Sequence, residues 1–262
     1  SIAVSAWKWG VITGRLGLVS NLALLVRHYL IGLFFNNVLP TTVGGDVVRA
    51  VEHGKASGMT ARSAASVVAE RLIASVALGL TALIGLAFVQ RSALMVGLVL
   101  GVLVVTSGAT LLFLSPRIAE RMVRPLLGSR LVNVAEGVAS AVAAVREVLL
   151  DRRVLLRVIV LSVGFQTLVA LVNVCLFHAL GHPSGLAEAM VYTPIVFTIT
   201  MLPISLSGLG VREAAYAVLF GQAGIPAEVA VTASLAFFVL VALVSLPGAP
   251  LFALGRRAVI AS

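Results

Sequence analysis

Long uncharged apolar runs divide the chain, and the charged or turn-forming residues at their ends define its elements. A helix that crosses a bilayer needs about 20 mostly apolar residues. Four runs reach that length: residues 72–89 between Glu70-Arg71 and Gln90-Arg91, 93–114 ended by Ser115-Pro116, 158–180 after Asp151-Arg152-Arg153 and Arg157, and 229–254 ended by Arg256-Arg257. Their high Gly and Ala content predicts helices that approach each other closely in lipid. A different pattern lies between the second and third runs. Leu131, Val134, Val138, Val142, Val145 and Leu149 recur at helical spacing, with Glu136, Arg146 and Glu147 off that stripe, which predicts an amphipathic helix covering the inner end of the bundle.

Composition turns this pattern into a membrane reading. Of the 262 residues, 60% are hydrophobic and 11% charged, against roughly 25% charged in ordinary soluble domains. The net charge of +9 comes from arginines clustered between apolar runs, not from one basic face with interleaved aromatics. It therefore reports topology and excludes a nucleic-acid partner. Eight Arg fall between 117 and 157 and four basic residues between 49 and 71, whereas 181–188 and 221–228 have none. By the positive-inside rule the first two segments and the C-terminus are cytoplasmic. The chain reads as integral to the plasma (inner) membrane. Trp7, Lys8 and Trp9 read as interfacial anchors, and His28, His53, His178 and His182, which share no ligand spacing, as interfacial or loop histidines. The single Cys175 excludes an internal disulfide. Neither a metal-ligand pattern nor a phosphate-binding Gly-rich loop occurs, so no cofactor and no direct ATP drive are expected. No signal peptide opens the chain, and its start without Met reads as processed or truncated.

Two further apolar segments are too short to span and are each cut by a Pro/Gly cluster. The first runs through Asn36, Leu39-Pro40-Thr41-Thr42, Gly44-Gly45-Asp46 and Arg49; the second through Leu202-Pro203, Ser205, Ser207-Gly208, Gly210 and Arg212-Glu213. Aligned on Leu-Pro, both place Gly at the fifth position after Pro and Arg at the ninth. Matched interruptions in two halves are the best sequence pointer to a transporter's binding site. With the first break on a cytoplasmic hairpin and the second between outside loops, the two read as re-entrant segments of an inverted repeat. The expected fold is an all-α polytopic membrane protein: one transmembrane domain over 1–262, with repeat-like halves at about 20–114 and 154–255 joined by a cytoplasmic amphipathic segment at 115–153.

After each break a half-helix can start, with Asp46 or Ser207 as its N-cap and glycines supplying positive φ or close approach. Its positive N-terminal end, with Arg49 or Arg212 about a turn in, would face an anion. Ionisable residues at membrane depth are functional candidates by default, which singles out Asp46, Arg49, Glu70, Arg71, Arg212 and Glu213. Thr41, Ser205 and Ser207 add hydroxyls, and Asn36, Pro40, Gly44, Gly45, Pro203, Gly208 and Gly210 complete the expected binding set. The competing readings are that Glu70-Arg71 mark a membrane boundary and that Arg49 is a positive-inside anchor.

These motifs, taken in order, resemble the lysylphosphatidylglycerol synthase transmembrane region, a flippase-like family, over nearly the whole chain. The resemblance rests on Phe34-Phe35-Asn36, Leu39-Pro40, Gly44-Gly45-Asp46 and Arg49, then Glu70-Arg71-Leu72 opening a span, then Leu202-Pro203, Ser207-Gly208-Leu209-Gly210-Val211-Arg212-Glu213. It implies an inner-membrane protein that flips a lipid with an anionic or aminoacylated polar head group between leaflets, a polyprenyl-phosphate-linked glycan being one such cargo. Expected partners are then an anionic phospholipid, an aminoacyl phospholipid or a polyprenyl phosphate, together with a second copy of the chain or a lipid-synthesis enzyme. Against the usual family pattern, one or two N-terminal spans are expected to be missing. The alternatives are a membrane-embedded lipid-modifying enzyme, using Asp46, Glu70 and Glu213 as acid/base groups, and an accessory scaffold for glycolipid assembly.

Overall fold

The computed structural model describes residues 2–39, 43–89, 93–115, 132–201 and 208–260. The expected site residues Pro40, Thr41, Pro203, Ser205 and Ser207 lie outside them, as does Leu131 of the amphipathic stripe. Among the described residues the chain is helical throughout: α1 Ile2–Arg15, α2 Leu22–Val38, α3 Gly44–Ser57, α4 Thr60–Leu86, α5 Ala93–Leu114, α6 Val132–Leu150, α7 Arg152–Ala179, α8 Leu186–Thr200, α9 Val211–Gly221, α10 Ala227–Ser245 and α11 Gly248–Ile260. Four stretches are long and apolar enough to cross a membrane: 60–86, 93–112, 152–179 and 227–254.

Two boundaries differ from the sequence expectation. Helix α4 starts at Thr60, not beside Arg71, because Gly58 adopts φ 68° and closes α3 with its N–H on the Gly54 carbonyl, turning the chain directly into α4. Glu70 and Arg71 therefore sit inside a 27-residue helix and do not mark its end. The last span is interrupted: α10 stops at Ser245, and Leu246-Pro247 leads into α11, as expected where proline cannot continue the hydrogen-bond ladder.

Helix α4 is the central post, packed on α3, α5, α6, α7 and α8. Its most apolar window is 56% buried, against 22% for α5, which leaves α5 as a peripheral, lipid-facing span. Helix α6 covers one end of the bundle: Val145 and Leu149 from the expected stripe pack with Ile12 of α1, Leu16 just after it, Ala69 and Ile73 of α4 and Val158 of α7. Arg15 ties this end together through Glu147 and Asp151. Asp151 also caps α7 by accepting from the Arg153 and Val154 backbone N–H groups. The Val154 backbone donor, then Arg15 and then the Arg153 N–H hold the Asp151 carboxyl below its ordinary range.

The two interrupted segments form matched helix pairs, α2 with α3 and α8 with α9, each packed on its partner. At 1.5 Å per residue, α2 is roughly 25 Å long and the other three are shorter, so none reaches across a hydrocarbon core of about 30 Å alone. The pairs are not superposable in detail. Helix α3 begins at Gly44, so Arg49 is its sixth residue, whereas α9 begins at Val211 and Arg212 is its second.

Candidate functional site

Three cations and two carboxylates from α1, α3 and α4 form a continuous network. Glu70 sits between Lys8 (3.2 Å) and Arg49 (2.8 Å), and Asp46 between Arg49 (3.1 Å) and Arg71 (2.6 Å). The Arg49 guanidinium also lies 4.7 Å from the Trp9 ring and 4.8 Å from the Tyr29 ring, so its faces are covered by aromatics. Trp9 donates its indole N–H to Ser66 at 2.9 Å, fixing that ring. Lys8, Asp46, Arg49 and Glu70 are all buried, and Arg71 alone keeps a side chain 46% exposed.

This network forms one wall of a cavity of about 350 Å³. The rest of the lining is largely apolar, with Phe165 and Val169 of α7, Phe197 of α8 and Phe237 and Val241 of α10. Asn36 and Asp46, which flank the first interruption, line the cavity, as do Thr200 and Met201 immediately before the second. The five charged residues lining it, Lys8, Asp46, Arg49, Glu70 and Arg71, carry a formal surplus of one positive charge, three cations against two carboxylates. An uncompensated charge in a low-dielectric site is costly. A ligand with one negative charge would compensate it.

The glycines act differently from one another. Gly44 and Gly45 are helical, and Gly45 serves close approach: its backbone lies against the Gly32 carbonyl, and its N–H donates to Asn36 Oδ1 at 2.9 Å. Positive φ is used at the second break, by Gly208 (78°) and Gly210 (80°). Asp46 is not an N-cap. Val43 precedes α3 without a side-chain cap, and the Asp46 carboxylate, on the first turn, is turned to Arg49 and Arg71.

Arg212 and Glu213 belong to a separate cluster. Glu213 accepts from Gly210 N–H (2.6 Å) and pairs with Arg212 (2.8 Å), both residues bond Ser234, and Phe238 lies under the guanidinium at 4.8 Å. Phe238 is the neighbour of the cavity-lining Phe237 on α10, so this cluster lies beside the cavity without lining it. Behind it, Asn173 accepts from the Tyr216 hydroxyl (2.7 Å) and donates to Thr193 (3.3 Å), binding α7, α8 and α9 together.

Several residues were misplaced by their type. Lys8 and Trp9 are buried constituents of the network, and only Trp7, 58% exposed, has the exposure of an interfacial anchor. His28 and His53 are buried edge to face at 5.4 Å, with His53 against Trp9 at 4.8 Å. Lys8 shares the buried face of α1 with Ser5, Trp9 and Ile12, a face that the packing of the neighbouring helices defines.

Four spanning helices, two interrupted helix pairs and an internal charged cavity define a polytopic helical membrane protein. The chain belongs to the family described as the lysylphosphatidylglycerol synthase TM region, whose sequence profile matches residues 1–248. No curated protein and no solved structure matches the chain. Family membership associates it with membrane lipid biosynthesis or translocation.

Proposed function

We propose that the chain moves a lipid with an anionic or aminoacylated polar head group between leaflets, the head group passing through the 350 Å³ cavity while its acyl chains stay in the bilayer. The observation that carries this reading is the cavity's surplus positive charge between the two interrupted helix pairs. Arg71, the exposed cation of the network, contacts the lipid phosphate, and Arg49, held by two carboxylates and two rings, keeps the wall in place. The volume is at the low end of the 300–1,000 Å³ usual for ligand sites. It suits a phospholipid head group better than a polyprenyl-linked glycan. Rocking of the α2–α3 and α8–α9 pairs, entering from opposite faces as re-entrant segments, alternates access, and the positive-inside pattern orients the C-terminus to the cytoplasm of the inner membrane. Acid/base chemistry is the weaker reading, because both cavity carboxylates are each engaged by two cations.

The test is lipid exchange in liposomes containing the full chain and chain-labelled fluorescent phosphatidylglycerol, with dithionite bleaching the outer leaflet. Wild type is expected to expose nearly all of the label, and Arg71→Gln to slow exchange at least about tenfold, the equivalent of 1.4 kcal/mol. Absence of exchange for phosphatidylglycerol, phosphatidylethanolamine and an aminoacyl phospholipid alike would refute the reading.

A further inference from the structure

The first turn of α3 holds two cavity residues at once. Gly45 N–H donates to Asn36 Oδ1 at 2.9 Å, and the next residue, Asp46, accepts from Arg71 Nε at 2.6 Å. Asn36 and Arg71 are thereby tied to adjacent positions of one helix end, and both line the cavity. Each keeps donors that the protein does not use. With Oδ1 occupied by an N–H, the other end of the Asn36 carboxamide is its NH2 group, and among the described residues Nδ2 donates to nothing. That nitrogen is not enclosed: Asn36 is half-buried, and Nδ2 is not one of the sealed polar atoms. Arg71 bonds Asp46 through Nε, and its two terminal nitrogens have no hydrogen-bond partner among the described residues, on a side chain 46% exposed.

We infer that Asn36 is a contact for the phosphodiester of the lipid: its carboxamide N–H donates to one non-bridging oxygen while Arg71 takes the other, so that Asn36 contributes equally whatever alcohol the diester carries. The inference rests on the lipid head-group reading above. A phosphodiester has no hydrogen to donate, and its two non-bridging oxygens share one negative charge, so it is held by donors on two sides. Arg71 supplies a charged donor and Asn36 a neutral one, and the single charge of the diester matches the formal surplus of the cavity wall. Hydrogen bonds to an ionised acceptor are the stronger kind. A carboxamide suits this place because it accepts at one end and donates at the other. Oδ1 holds α3 against α2 through Gly45, and Nδ2 is left for the lipid. A carboxylate of the same shape would keep the first function and lose the second.

The experiment is calorimetric titration of the detergent-solubilised full chain with dihexanoyl phosphatidylglycerol, dihexanoyl phosphatidylethanolamine and glycerophosphoglycerol, the first diester without its acyl chains, together with unfolding midpoints. Asn36→Leu keeps shape and charge but has neither donor nor acceptor. It is expected to weaken both lipids at least about tenfold, by factors that agree within about twofold, and to lower the midpoint. Asn36→Asp keeps the acceptor for Gly45 N–H and loses the donor. It is expected to weaken phosphatidylglycerol at least as much while keeping the wild-type midpoint. One variant adds charge without loosening α3, the other loosens α3 without adding charge, and the missing donor is common to both. If Asn36→Leu does not fold, Asn36→Asp decides alone. Wild-type affinity in either variant, a loss confined to one lipid in Asn36→Leu, or a loss in Asn36→Asp accompanied by a lowered midpoint would overturn the contact while leaving the head-group reading intact. Binding of neither lipid by wild type, or binding of glycerophosphoglycerol as tightly as the lipids, would overturn the head-group reading itself, and this inference with it.

Discussion

Glu70→Ala is expected to destabilise the folded chain by about 3–5 kcal/mol, the cost of breaking a buried ion pair from one side. Glu70 is the hub joining α1 to α3 through α4: it holds Lys8 at 3.2 Å and Arg49 at 2.8 Å, and all three side chains are buried. Without it Arg49 retains Asp46, while Lys8 keeps, among the described residues, only the Phe165 ring, 5.6 Å away, and the formal cavity surplus rises from one positive charge to two. The measurement is denaturant unfolding in detergent with Trp9, which lies on Arg49, as the fluorescent probe. Lys8→Met alone is expected to cost about 1 kcal/mol, since Glu70 stays paired with Arg49. Lys8→Met combined with Glu70→Ala returns the surplus to one while leaving the same cavity, and is expected to recover more than half of the Glu70→Ala loss. The coupling between the two positions separates an uncompensated charge from a simple cavity. If the double variant is as unstable as Glu70→Ala, the stranded cation is not the cause.

That network also marks how far the sequence could be read. The spans were legible because apolar run length is a one-dimensional property, and their cores at 60–86, 93–112, 152–179 and 227–254 overlap the expected runs. The start of α4 was not legible. Charge at Glu70-Arg71 bounds a run by hydropathy alone, and the residues that make Glu70 tolerable inside the helix are Lys8 and Arg49, 62 and 21 positions earlier. Asp46, Arg49, Glu70 and Arg71 were picked out because charge in an apolar setting is conspicuous, and the structure brings the four together. Lys8 and Trp9 were assigned by residue type to the membrane surface, because the inward face of a short helix shows only once its neighbours are placed. The equal Pro-to-Arg spacing of the two breaks was legible, but where each helix begins was not. Glu213 caps the N–H of Gly210 and sets the start of α9 at Val211, whereas α3 begins four residues after Pro40. Equal sequence spacing thus puts Arg49 into the cavity wall and Arg212 into a cluster beside it.

Gly45→Ala is expected to destabilise the chain by about 1–3 kcal/mol or more and to abolish lipid exchange, although it adds one methyl group. A Cβ at residue 45 would overlap the Gly32 carbonyl oxygen and lie 2.7 Å from both Asn36 N and Asn36 Cγ. Two of these obstacles are backbone atoms, so no rotamer change relieves them. Helix α3 would have to move off α2, breaking the 2.9 Å bond from Gly45 N–H to Asn36 Oδ1 and displacing Asp46 and Arg49 together. Gly32 faces the same crossing, where an added Cβ would meet the Gly45 carbonyl at 3.0 Å and Arg49 Cβ at 3.1 Å. The control is Gly101→Ala in lipid-facing α5, where a Cβ meets nothing within 4 Å. There the change replaces a poor helix former by the best one and is expected to be neutral, or stabilising by up to about 1 kcal/mol. Unfolding midpoints and liposome exchange, measured on both variants, decide the matter. If Gly45→Ala keeps wild-type stability and exchange, the α2–α3 crossing is not as tight as drawn, and the first interruption would have to place its charges by some means other than backbone contact. Loss of exchange with stability retained would instead locate the effect in the position of Asp46 and Arg49, since those are the cavity residues that α3 carries.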